Sequence, residues 1–236
     1  MHKFANPAQF TRLADALLPW LSGLLVLLLA FGLWQALWVS PPDYQQGDTV
    51  RIMYVHVPSA SLSMGIYVGM ALASAAFLIW RHPLADVVAR ESALIGAVYT
   101  ALTLLTGSLW GKPMWGIWWV WDARLTSVLV LFFIYIAYIA LCDAMAARES
   151  GKKICAVFVL IGLVNIPVIR YSVELWSTLH QPASIIREGG IAIHSSMQIP
   201  LFSMMAAFFL IYVVTLLIRV KAALIRQKIR RIAFTS

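Results

Sequence analysis

Charge is scarce in this chain. Asp, Glu, Lys and Arg supply 12% of its 236 residues, about half the share of a soluble domain. Apolar side chains supply 61%, a balance that excludes an ordinary water-soluble globule. Cysteine is nearly absent as well. Cys142 and Cys155 flank one short loop without CxxC spacing, so they read as two isolated thiols and not as a disulfide framework. The sequence has no internal repeat, no low-complexity tract and no long linker, and nothing in it divides the chain into separate domains.

What it has is apolar length. Six runs recur, at about 17–39, 53–80, 92–110, 125–142, 154–173 and 197–218, each close to or above the ~20 residues that a bilayer-spanning helix needs. The expectation is an all-α, polytopic integral membrane protein with six transmembrane helices, forming one membrane domain over residues 1–236. The first run starts late and no small-x-small site precedes the next polar loop, so it reads as a span and not as a cleaved signal.

Six spans put both termini on one side. That side, with the loops 81–91 and 143–153 and the tail RVKAALIRQKIRR, holds 13 of the 18 Lys and Arg residues, while Asp and Glu divide evenly. Basic residues accumulate on the cytoplasmic face, so both termini are expected inside. The excess of basic charge then belongs to the orientation rule and to anionic membrane lipid, with no need of nucleic acid. The loops 40–52, 110–124 and 170–196 face outward.

Of the five histidines, His2 lies in the N-terminal tail, His82 in an inner loop, and His194 near the outer start of the sixth run. The other two, in RIMYVHVPSAS and ELWSTLHQPAS, are His56 and His180. Counting about 20 residues outward from Trp80 ends the hydrocarbon core near residue 61, which places His56 ~7 Å beyond it. Pro58 suits a helix start there. His180, just before Pro182, leaves the fifth run at a similar depth. A lone interfacial histidine is ordinarily an amphipathic headgroup residue. Two at one depth, from different spans, can also serve as the axial pair of a haem.

Between them in sequence lies WGKPMWGIWWVWDARLTS, residues 110–127, which carries half of the chain's ten tryptophans. Tryptophan belongs at membrane interfaces, but belt tryptophans are scattered over helix ends, as Trp20, Trp34, Trp38 and Trp80 are here. Five in one outer loop, with Gly111 and Gly116, suggest a flat contact surface with N–H handles. Arg51, Lys112 and Arg124 are outward cations suited to carboxylates. Asp122 suits either an N-cap opening the fourth span or a place in the site. Glu174 and Asn165 read as helix-end and packing residues.

Together these segments resemble the CcmC family, haem-handling membrane proteins of bacterial cytochrome c maturation. WGKPMWGIWWVWDARLTS is similar to its tryptophan-rich signature, the WWD domain. YVHVPSA and TLHQPAS resemble the segments that carry its paired histidines, and PPDYQQGDTVRIMY its first outer loop. The resemblance implies that His56 and His180 are axial ligands of the iron of haem b. It also implies that Trp115, Trp118, Trp119, Trp121 and Asp122 contact haem at the periplasmic surface, with Arg124 beside them. Members of the family deliver haem to the periplasmic chaperone CcmE. They work with the ABC-type transporter subunits CcmA and CcmB and the small single-span protein CcmD. The resemblance implies a carrier and not an enzyme, and gives His194 no role.

Three other readings are weighed against it. A b-type cytochrome subunit would bury its histidines inside the spans, often at two depths. A haem lyase would be much longer, with further histidine-bearing spans. A substrate transporter would carry ionisable residues within its spans, and the central thirds of these runs have essentially none.

Overall fold

The computed structural model describes residues 6–148, 150–176, 178–180 and 190–233; His2 and Pro182 lie outside them. Helix α1 runs from Pro7 to Trp34. The Asn6 side chain accepts the Ala8 N–H at 2.9 Å, satisfying one of the amides that a helix start leaves unpaired. One π-helical turn, Gln35–Val39, ends it. A 3-10 turn at Asp48–Ile52 leads into α2, Met53–Trp80. This helix opens before Pro58, because the 3-10 turn has already set the backbone; Pro58 sits in its second turn.

Arg81, in the left-handed region at φ 54°, stops α2, and Pro83 opens α3 two residues later. So short a connection makes α2 and α3 antiparallel neighbours, and they form the most extensive helix pair in the bundle. Helix α3, Pro83–Trp115, continues five residues past the apolar run that marks it in sequence. Pro113 gives up only its bond to the Leu109 carbonyl. The stop comes at Gly116, at φ 78°, whose N–H caps the Lys112 carbonyl at 3.0 Å. The tryptophan-rich stretch therefore begins on a helix, and its non-helical part is residues 116–122.

Helix α4 covers Ala123–Ala144. The fifth apolar run is broken into α5, Gly151–Gly162, and α6, Asn165–Leu175. Pro167 cannot bond the Leu163 carbonyl, which takes the Ile166 N–H instead at 3.0 Å. Helix α7, Ser195–Ala233, is the longest. Six helical stretches are long and apolar enough to cross a membrane: Pro7–Val39, Asp48–Trp80, Pro83–Trp115, Ala123–Ala144, Gly151–Leu175 and Ser195–Arg230. Each contains or nearly contains one of the six runs read from sequence, and the described residues form no strand. The molecule is a multi-pass helical membrane protein.

Buried tyrosines tie the helices together. Tyr135 of α4 donates to the Ser63 carbonyl of α2 at 2.7 Å, Tyr99 of α3 to Phe208 of α7 at 2.8 Å, and Tyr67 of α2 to Val159 of α5 at 3.1 Å. In lipid a buried hydroxyl needs such a partner. Glycines let the rings in, since the Tyr135 ring occupies the space that a side chain on Gly96 would fill. At the end away from the tryptophans, ion pairs bind the helix ends. Glu91 of α3 holds Arg219 and Arg226 of α7 at 2.8 and 3.2 Å, Asp86 holds Arg90 and Lys152 at 3.2 and 3.5 Å, and Asp15 of α1 holds Lys221.

Candidate functional site

His56 occupies the first turn of α2 and is buried, at 8% exposure. It faces α3. His56 Nδ1 lies 3.0 Å from Thr106 Oγ1, and the Thr106 hydroxyl donates to the Leu102 carbonyl at 2.7 Å. Gly107 makes the approach possible, since a Cβ there would stand 3.2 Å from His56 Cε1. Trp110, one turn on from Thr106, meets the imidazole edge-on with centroids 5.7 Å apart.

His180 is half-buried and follows the end of α6, where its N–H is held by Thr178 Oγ1 at 3.0 Å. Its ring lies 6.4 Å from that of His56, centroid to centroid, with the planes 33° apart. Trp115 lies 6.2 Å from it. Ring contacts thus link Trp110, His56, His180 and Trp115, the two tryptophans coming from the last turns of α3. Among the described residues no group of three or more His, Cys, Asp or Glu could hold a metal ion. The imidazoles stand as a pair.

The structure brings other site candidates to the same end in different ways. Trp119 and Trp121 form an edge-to-face pair at 5.5 Å. Trp118 and Trp121 are exposed, at 56% and 76%, while the Trp119 indole nitrogen is buried without a hydrogen-bond partner among the described residues. The Lys112 ammonium donates to the Gly116 carbonyl at 2.8 Å and lies 5.8 Å over the Trp118 ring. Arg124 donates from Nε to Ser172 Oγ at 3.0 Å, joining α4 to α6. Arg51 reaches the Leu37 and Ser40 carbonyls and pairs with Asp48 at 3.1 Å, so its guanidinium closes the π-helical turn.

Asp122 has one oxygen in each of the two roles open to it. Oδ1 accepts the Leu125 N–H at 2.7 Å and caps α4. Oδ2 is buried with no hydrogen-bond partner among the described residues. Glu174 pairs with Arg170 at 3.1 Å along α6, and Asn165 donates to the Ser127 carbonyl at 3.0 Å. His194 meets Ser196 at 2.8 Å at the start of α7.

Sequence reasoning passed over three residues here: Thr106, Trp110 as a neighbour of His56, and Gln46, whose Oε1 accepts the Trp110 N–H at 2.8 Å. Gln46 is held in turn by Asp43, which accepts the N–H groups of Gln45 and Gln46 at 2.9 Å. The available signal was the four-residue spacing of Thr106 and Trp110, which puts both on one helix face.

Fold and site define a class: a polytopic helical membrane protein that encloses paired imidazoles among tryptophans at one end of its bundle. The family model described as Heme exporter protein C matches residues 1–235. Heme exporter protein C of Bradyrhizobium diazoefficiens is 48% identical over 240 residues, 98% of this chain and 91% of that protein. The Escherichia coli K12 protein of the same name is 42% identical over 231 residues, 98% and 93% of the two chains. The putative cytochrome c biosynthesis ccmC-like mitochondrial protein of Marchantia polymorpha is 50% identical over 182 residues, 77% of each chain. The chain belongs to the heme exporter protein C family, CcmC.

Proposed function

We propose that this protein binds haem b at the periplasmic membrane surface through His56 and His180 and delivers it to the chaperone CcmE during c-type cytochrome biogenesis. The observation that carries the proposal is that the fold brings the two rings together: His56 on α2 and His180 beyond α6 lie 6.4 Å apart, centroid to centroid, and paired imidazoles are a standard way to hold haem iron. A pair of imidazole donors suits a porphyrin iron, whose other four positions the macrocycle fills.

The surroundings support cargo over a resident redox centre. His56 is buried, His180 is half-buried, and Trp118 and Trp121 are open to a partner. Trp115, Trp118, Trp119, Trp121, Asp122 and Arg124 form the proposed haem-contacting surface, with the indole rings supplying flat apolar area. Haem then stays reachable by a soluble domain. The excess of Lys and Arg at the other end supports termini in the cytoplasm and a site facing the periplasm. The protein acts as a carrier, with CcmA, CcmB and CcmD as its membrane partners.

The absorption spectrum of the purified protein tests this. Wild type is expected to show low-spin, bis-imidazole haem, and His56→Ala and His180→Ala to lose or greatly weaken it. An unchanged Soret band and full haem content in both variants would overturn the proposal.

A further inference from the structure

We infer that Thr106 is a positioning residue for His56: its hydroxyl holds the ring proton on Nδ1 and so turns Nε2 toward iron. The inference rests on the haem-binding reading above. Two carbonyls lie within reach of Thr106 Oγ1, Leu102 at 2.7 Å and Thr103 at 3.4 Å. A carbonyl can only accept, so a hydroxyl hydrogen placed on either one is taken up by α3. What faces His56 Nδ1, at 3.0 Å, is then an oxygen lone pair, and Nδ1 is the donor. A neutral imidazole carries a single N–H, and Nε2 keeps its lone pair for a ligand.

The rest of the cradle holds the ring in that orientation. Gly107 lets Cε1 come close to α3, where a Cβ would stand 3.2 Å away, and Trp110 closes the edge at 5.7 Å. The acceptor is a neutral hydroxyl, where metal-bound histidines often have a carboxylate. A carboxylate would draw the Nδ1 proton and strengthen the ligand. A hydroxyl draws that proton less, so Thr106 directs His56 and strengthens it only weakly, which suits an iron that has to leave.

The test uses the full chain with His56→Gly, loaded with haem and supplied with either imidazole or 1-methylimidazole. Imidazole can offer iron one nitrogen and Thr106 an N–H; 1-methylimidazole has no N–H to offer. After correction for each compound's binding to free haem, imidazole should restore the low-spin spectrum at about tenfold lower concentration. In His56→Gly with Thr106→Ala, which has room for the methyl group, that preference should vanish. In the otherwise intact chain, Thr106→Val should lower haem occupancy about tenfold at limiting haem and raise the midpoint potential, and Thr106→Ser should restore both. Equal rescue by the two compounds with Thr106 present overturns the inference, as does identical occupancy and potential in the valine and serine variants. If wild type shows no bis-imidazole spectrum, the haem-ligation reading fails first and takes the inference with it.

Discussion

The indole N–H of Trp110 donates to the side-chain oxygen of Gln46 at 2.8 Å, fastening the turn ahead of α2 to the far end of α3. The same indole stands edge-on to His56, so the bond fixes one wall of the proposed haem site. Gln46→Leu leaves the part-buried N–H without an acceptor, a change that costs about 1–3 kcal/mol in a protein interior. Trp110→Phe keeps the aromatic wall and removes the donor. Thermal unfolding of the two single variants and the double variant should show a coupling of about 1 kcal/mol. Strict additivity would mean that the bond contributes nothing.

Two glycines on α3 should respond differently to the same added methyl group. At Gly96 the Tyr135 ring already fills the space, and Tyr135 is fully buried and bonded to Ser63. Gly96→Ala must move that ring, and overpacking of this kind costs about 1–3 kcal/mol; less protein should accumulate in membranes. At Gly107 the new Cβ meets His56 at 3.2 Å, a contact relieved by shifts of a few tenths of an ångström. Gly107→Ala should keep normal abundance and lose haem. Haem content per molecule, measured beside abundance, separates the two, and a reversed pattern would contradict the placement of His56.

The bundle was largely legible in sequence because apolar length alone counts spans, and the six runs correspond to the six helical stretches. Helix ends were less so. Hydropathy stops at Trp110, but backbone bonding carries α3 through Pro113 to a left-handed glycine at 116. The fifth run reads as one apolar stretch, and its break at Leu163–Val164 comes from a single missing N–H at Pro167. In the site, depth counting brings His56 and His180 to one level, since the bilayer itself is the ruler. Thr106 gave no such sign. A threonine in a spanning helix ordinarily bonds its own i−4 carbonyl, as this one does, and only the tertiary fold shows what its lone pair faces. Arg51 illustrates the opposite case: a plausible outward cation whose guanidinium the structure spends on the Leu37 and Ser40 carbonyls and Asp48.

Orientation in the membrane has its own test. Ion pairs gather the starts of α1, α3 and α5 and the distal half of α7 at the end away from the tryptophans, and most of the chain's Lys and Arg lie there. By the positive-inside rule that end is expected to be cytoplasmic. Reporter fusions after Ser40, Gly116 and Gly190 should report the periplasm, and those after Arg81 and Gly151 the cytoplasm. A cytoplasmic signal after Gly116 would place the paired histidines on the wrong side for a periplasmic acceptor.

Asp122 allows capping and haem delivery to be separated in one residue. Its Oδ1 caps α4 through the Leu125 N–H, and its Oδ2 is buried with no partner among the described residues. Removing the cap in Asp122→Ala should cost about 0.5–2 kcal/mol. Serine is also a good N-cap, so Asp122→Ser should recover that stability, although it carries no second oxygen and no charge. Asp122→Asn keeps the capping oxygen and replaces the unpartnered one with an amide. If Asp122 only caps, serine and asparagine should both load the chaperone normally, and alanine should lose loading only in proportion to its abundance. If Oδ2 serves the haem site, all three variants should load poorly per molecule while serine and asparagine stay stable. We expect the second pattern, because a buried carboxylate oxygen without a donor is costly and a cap alone does not need it. The measurement is haem-stained CcmE divided by the amount of this protein in membranes, read beside its thermal stability. Normal loading in the serine variant would reduce Asp122 to a helix cap.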